Sequence, residues 1–192
     1  MPTTATPNIL TDAGYLFWAP LGTAIPTNSV SGSKFTDAWA SPWISLGATE
    51  EGSTHSYEIN VEAITVAEFF DPVSYRTTER SGSFAFSLAD WTLTNVKRAY
   101  NGGTLTVVSG TGATQLNKYV PPVPGAEIRA MLGWESLDNT VRLICYQTIN
   151  SGTVETAFKK APDKALLPCE FKFEKPTSTE PFEFYTAGPT RA

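Results

Sequence analysis

The clearest pattern in the chain lies between Tyr57 and Gly103. From Ser56 to Glu62 the residues alternate, with Tyr57, Ile59 and Val61 on one face and Ser56, Glu58, Asn60 and Glu62 on the other. A period of two is the mark of a half-buried strand. A second alternating run follows Asp71-Pro72, with Phe84, Phe86 and Leu88 opposite Ser81, Ser83, Ala85 and Ser87. The period then changes. Leu93, Val96 and Tyr100 recur at helical spacing, Asp90 is placed to cap the first turn, and Lys97 and Arg98 suit the last turn of a helix dipole. Asn101-Gly102-Gly103 stops the helix, since glycine adopts the left-handed C-cap conformation at little cost. A helix of this length needs a sheet to lie on; Leu93, Val96 and Tyr100 are its expected packing residues.

Elsewhere the pattern predicts strands and loops. Tyr15–Ala19, Trp43–Leu46, Thr104–Val108, Ala126–Ser136, Val141–Ile149, Thr153–Phe158, Leu166–Glu174 and Phe182–Tyr185 read as strands. Ala48–Thr54 reads as an acidic turn, Lys159–Lys164 as a basic turn or single helical turn, and 109–125 as a Gly- and Pro-rich loop. Residues 20–42 form a long loop rich in Pro and Ser, in which Phe35 and Trp39, with Trp43 just beyond, are the candidate anchors. With about ten short strands and one helix, the expected class is mainly β, a sandwich or barrel with one flanking short helix. The reading is one domain over 1–192, with an extended N-terminal arm at 1–14 and a loose tail at 188–192.

Composition sharpens this picture. Hydrophobic residues make up 41% of the 192, enough for a core, while charged residues are only 17%, below the ordinary quarter. Burial against other subunits is one explanation, and the ordinary surface of an all-β protein is another. Net charge is −5, unevenly spread: Ala48–Trp91 holds eight acids and two bases, or −6, and the remainder is close to neutral. Nucleic-acid binding through a basic patch is therefore not expected. The start of the chain lacks the basic and apolar regions of a signal peptide, and no apolar run approaches the ~20 residues of a membrane helix. Cys145 and Cys169 each sit on an apolar strand face and read as buried free thiols, consistent with a cytoplasmic site of synthesis.

Catalytic signals are missing. His55 is the single histidine and has no nucleophile motif near it. The cysteines lack metal-site spacing. The run Ser109-Gly110-Thr111-Gly112 is not followed by the Gly-Lys-Ser/Thr of a phosphate cradle. Glu58 and Glu62, four apart on one strand, would stand roughly 13 Å apart, too far for a glycosidase pair. Neither an enzyme activity nor a cofactor is expected.

The order of these features resembles the major tail tube protein of long-tailed bacteriophages. The resemblance rests on Leu46–Gly52 leading into Tyr57-Glu58-Ile59; on Phe69–Val73, then Arg80–Phe86 and the helix to Gly103; and on a C-terminal series. That series comprises Cys145-Tyr146-Gln147, Asn150-Ser151-Gly152, Lys159–Ala165, Pro168–Phe171 and Pro181–Tyr185. It implies a virion structural protein whose sheet continues across subunits into hexameric rings, stacked as a tube through which DNA passes. It also implies contact with tape-measure, tip and terminator proteins of the tail. Within that frame Glu58, Glu62, Glu68 and Glu79 are candidate lumen acids on the strands Ser56–Glu68 and Tyr75–Leu88. Phe35, Trp39 and Trp43 are candidate inter-subunit anchors, in a loop expected to order only when rings stack. Two other readings stay open: a tail terminator or completion protein of the same fold, and a carbohydrate-binding module using Trp39 and Trp43.

Overall fold

The computed structural model describes residues 13–188 other than Lys159 and Pro162. The expected N-terminal arm and C-terminal tail fall almost wholly outside the described residues. The described chain forms twelve strands and one helix: β1 (Gly14–Pro20), β2 (Val30–Ser31), β3 (Lys34–Phe35), β4 (Ile44–Ser45), β5 (Thr49–Ile64), β6 (Ser74–Leu88), α1 (Leu93–Ala99), β7 (Thr104–Ser109), β8 (Leu116–Val120), β9 (Ala130–Ser136), β10 (Val141–Asn150), β11 (Leu167–Phe173) and β12 (Phe182–Thr186).

Eight strands make one antiparallel sheet in the order β4-β1-β9-β10-β11-β6-β5, with β12 also paired to β10. The sheet divides at β10, whose first half, Val141–Cys145, holds β12, while Thr148–Asn150 holds β11. The two wings fold toward each other. Leu16, Leu132, Leu143 and Cys145 from one wing share a buried cluster with Phe84, Phe86, Cys169 and Phe171 from the other. The mainly β expectation holds, with the sandwich-like core enclosed by a single sheet.

The opposite face of β1, β9 and β10 is also covered. Ala19, Met131 and Ile144 form a second cluster with Trp43, Trp39 and Ile25 from the 20–43 loop. Residues 131–133, 135–136 and 142–145 are accordingly buried on both faces, which explains why these two strands carry no clean alternation.

Several sequence expectations change. Ala48–Thr54 is not a turn: β5 begins at Thr49 and crosses the acidic run through a register shift between Thr49 and Ser53. Gly52 takes φ +84° there, a conformation glycine permits. Thr92 rather than Asp90 caps the helix, its Oγ1 accepting from the Asn95 N–H at 3.2 Å. The Asp90 carbonyl instead accepts from Asn95 Nδ2 at 2.9 Å. Asn101, with φ +56°, is the first left-handed residue after the helix. The 109–125 loop contains β8, which pairs with β7 as a separate two-stranded sheet. Thr153–Phe158 keeps an exposed and half-buried alternation, yet no strand pairs with it and it is irregular. Ala126–Arg129 likewise lies outside β9, which starts at Ala130.

Candidate assembly surface

β5 and β6 are the two longest strands, at 16 and 15 residues, and they pair from Thr49↔Leu88 to Ile64↔Ser74. Only their base reaches the core. On β6, Phe84, Phe86 and Leu88 are buried, whereas every residue from Ser74 to Arg80 is exposed. The distal half, together with the 65–73 connection, is therefore an arm that projects beyond the body of the subunit.

Register assigns the two faces of this arm. The face continuous with Phe84 carries His55, Tyr57, Ile59, Val61 and Tyr75. Ile59, Val61 and Tyr75 are 52%, 56% and 67% exposed. The half-buried strand expected here is thus left exposed by the described chain, and its mainly apolar face also carries Arg80, opposite Ile59. The other face carries Glu58 opposite Ser81, Asn60 opposite Glu79, and Glu62 opposite Arg76. β6 has one extra residue, Thr78, between the Asn60↔Glu79 and Val61↔Thr77 pairs. That bulge brings Arg76 onto the same face as Glu79 despite their different parity. Glu58, Glu62 and Glu79 share this face, while Glu68 lies in the connection beyond the strands. Neighbouring β11 adds Glu170 and Lys172 to the same side, opposite the buried Cys169 and Phe171.

Aromatic packing fixes the root of the arm. His55 lies 4.7 Å from Phe182, 5.2 Å from Phe184 and 5.5 Å from Phe173 between ring centroids. Burial lowers the His55 pKa below its ordinary value, and its Nε2 has no hydrogen-bond partner. Gly82 lets Phe173 cross the strand: a Cβ there would lie 2.7 Å from the Phe173 ring.

The 20–43 loop settles on its own subunit. Phe35 and Trp43 are buried, Trp39 stacks on Phe17 at 4.4 Å, and the Trp43 indole N–H donates to the Ala24 carbonyl at 2.8 Å. Gly133 leaves room for Trp39, whose ring fills the place of a Cβ. Beneath the loop, Arg142 Nη2 meets Glu135 Oε1 at 3.1 Å, with both side chains buried. Arg142 also donates to Asn28 Oδ1 at 3.0 Å and to the Asp37 carbonyl, and its guanidinium lies 4.6 Å from the Phe35 ring centroid. The burial these aromatics were expected to find in an adjacent ring is found within one chain. Trp43 is buried, and Phe17 covers one face of the half-buried Trp39. The Arg142–Glu135 pair has no motif of its own in the sequence. A hairpin closed around Leu137–Thr140 brings positions 135 and 142 opposite each other, and that was the available signal.

On the helix, Val96 is buried, Leu93 is half-buried, and Tyr100 is 41% exposed, stacked near Tyr119 at 6.1 Å. Asn95 and Ala99 supply the remaining buried contacts. Tyr100 stays outside because the helix ends at Ala99 and the chain turns away. Both cysteines are buried and free, and burial pushes the Cys169 thiol up to about 12. Among the described residues there is no group of three or more His, Cys, Asp or Glu suited to a metal ion, and no helix long and apolar enough to cross a membrane.

A family model described as phage tail tube protein matches residues 1–191. The chain belongs to the phage tail tube family. It is a structural component of the virion tail, a non-enzymatic subunit of a homo-oligomeric tube. The terminator and carbohydrate-binding readings give way to this one. No curated protein matches the chain.

Proposed function

We propose that this subunit forms hexameric rings that stack into an acid-lined conduit for DNA, with the β5–β6 arm as the principal assembly element. The two-faced arm carries the proposal: a row of carboxylates on one side, and on the other a mainly apolar strip that continues the core but is left exposed by the described residues. Leaving Tyr57, Ile59, Val61 and Tyr75 in water is unfavourable by about 25 cal/mol per Å². A neighbouring subunit covers them in the ring. β5 is also the edge of the sheet, and a sixteen-residue open edge invites pairing unless another chain closes it. Repetition of such head-to-tail contacts builds rings and then a tube.

In this arrangement Glu58, Glu62 and Glu79 face the lumen, joined by Glu170. Arg76 and Lys172 offset part of their charge. A wall of net negative charge repels phosphate, so DNA passes without adhering. Glu68, at the connection, sits near a ring boundary instead of along the wall. The whole chain acts as one tail-tube domain, and its tube ends meet the tape-measure, tip and terminator proteins.

Imaging of purified protein tests this reading. Stacked rings with six-fold symmetry are expected, with the three strand carboxylates on the inner wall; their placement on the outer wall would refute the conduit argument. Ile59→Glu with Val61→Glu alters only residues exposed in the single chain. That variant should keep the wild-type melting temperature and fail to form tubes.

A further inference from the structure

The arm needs a receiving surface, and the second two-stranded sheet has the matching properties. Helix α1 packs at the Leu88 end of β6, where Phe86, Leu88 and Ala99 adjoin. The arm projects from the opposite end of that strand. The β7–β8 hairpin follows the helix and is tied to its end by the Tyr119 hydroxyl, which donates to the Gly102 carbonyl at 2.9 Å. It pairs with no third strand among the described residues, so both of its edges are open. Val107, Val108, Leu116 and Val120 are each about half exposed (45–58%).

Charge is complementary as well. Residues 92–126 contain three bases, Lys97, Arg98 and Lys118, and no acid, while residues 48–91 sum to −6. Arg98 is engaged within the subunit, its Nη1 donating to Asn95 Oδ1 at 2.7 Å and its guanidinium 5.2 Å from the Trp18 ring centroid. Lys97 and Lys118 form no ion pair among the described residues, nor do Glu68 and Asp71 in the 65–73 connection. Exposed Phe69 and Phe70 lie between those two acids.

We infer that the arm of one copy docks on the β7–β8 hairpin of the next copy. The inference rests on the tube reading and names the surface that receives the arm. Apolar side chains of the two hairpins cover one another, Lys118 and Lys97 meet the acids of the arm end, and the open edges are shielded. Because donor and acceptor lie at opposite ends of β6, the contact is head-to-tail and repeats without using up either surface. Charge sets the register and suppresses arm-to-arm association between like surfaces.

Charge exchange in the full-length chain tests the contact. Glu68→Lys with Asp71→Lys reverses the arm, and Lys97→Glu with Lys118→Glu reverses the acceptor. Each pair alone should raise the concentration needed for tube formation about tenfold or more at low salt, and the fourfold variant should return close to wild type. Thermal melting checks that every monomer is folded. If Lys97→Glu unfolds the helix, Asp71→Lys and Lys118→Glu, singly and together, give the same comparison. Tubes that ignore each reversal, or folded fourfold variants that do not recover, overturn the contact and leave the tube reading standing. Wild-type protein that forms no tubes overturns both.

Discussion

Glu62 and Arg76 are register partners across the distal arm, on the face that also holds Glu58 and Glu79. Arg76 is the one base on that face of the arm, placed there by the bulge at Thr78. In the proposed hexameric ring, six copies of each carboxylate would crowd together. Arg76→Glu should therefore raise the threshold for tube formation at low ionic strength. Added salt should reverse much of the effect, since screening acts within about 8–10 Å near physiological strength. Light scattering across a salt series measures it, and an unchanged threshold at low salt would mean that this face does not converge on an axis.

The loop over β9 and β10 is held by a buried ion pair. Removing one partner leaves the other charged and buried, at a cost of about 3–5 kcal/mol. Glu135→Met should cost that much in urea unfolding, while Glu135→Met with Arg142→Met should cost less than the single change. Hydrogen exchange gives a second readout. The Phe35, Thr36 and Trp43 amides donate to the Asn139, Ser29 and Ala40 carbonyls at 2.8–3.0 Å. They should be protected in the free subunit already, and Glu135→Met should expose them.

Acid weakens the root of the arm through His55. Its folded-state pKa lies below the ordinary 6.5 because burial disfavours the cation. The unfolded chain therefore binds the proton more readily. Stability from this group is complete above about pH 6.5 and declines as pH falls toward the lower folded value. Melting temperature should drop between pH 7 and pH 5.5, and His55→Phe should flatten that part of the profile. A wild-type profile identical to that of the variant would contradict this account.

Val96 anchors the helix to the sheet. Val96→Asp places a charge in the buried cluster that holds Phe86, Leu88 and Phe171, and the protein should fail to accumulate in soluble form. Tyr100→Ser, at a half-exposed position, should melt within a few degrees of wild type.

The sequence by itself determined the paired strands of the arm, the helix and its stop, and the acidic bias of residues 48–91. Each follows from a local period or a local count. Alternation put Glu58 and Glu62 on one face of their strand and Glu79 on the polar side of the next; that these become one face follows only from the register of the pair. Tertiary structure decided what alternation cannot express. Whether the apolar face of Ile59 and Val61 is covered depends on what else reaches it, and among the described residues they stay about half exposed. Trp39 and Trp43 read from sequence as anchors for a neighbouring ring because the 20–42 loop has no alternating pattern with which to bury them. The surface that does so is built from β1, β9 and β10, up to about a hundred residues away in sequence. The same distance hid Arg142 and Glu135, a charged pair in an otherwise apolar stretch that makes sense only beneath the loop covering it. Thr153–Phe158 shows the converse: its pattern suits a strand, but a strand needs a partner, and folding left it none within the described chain.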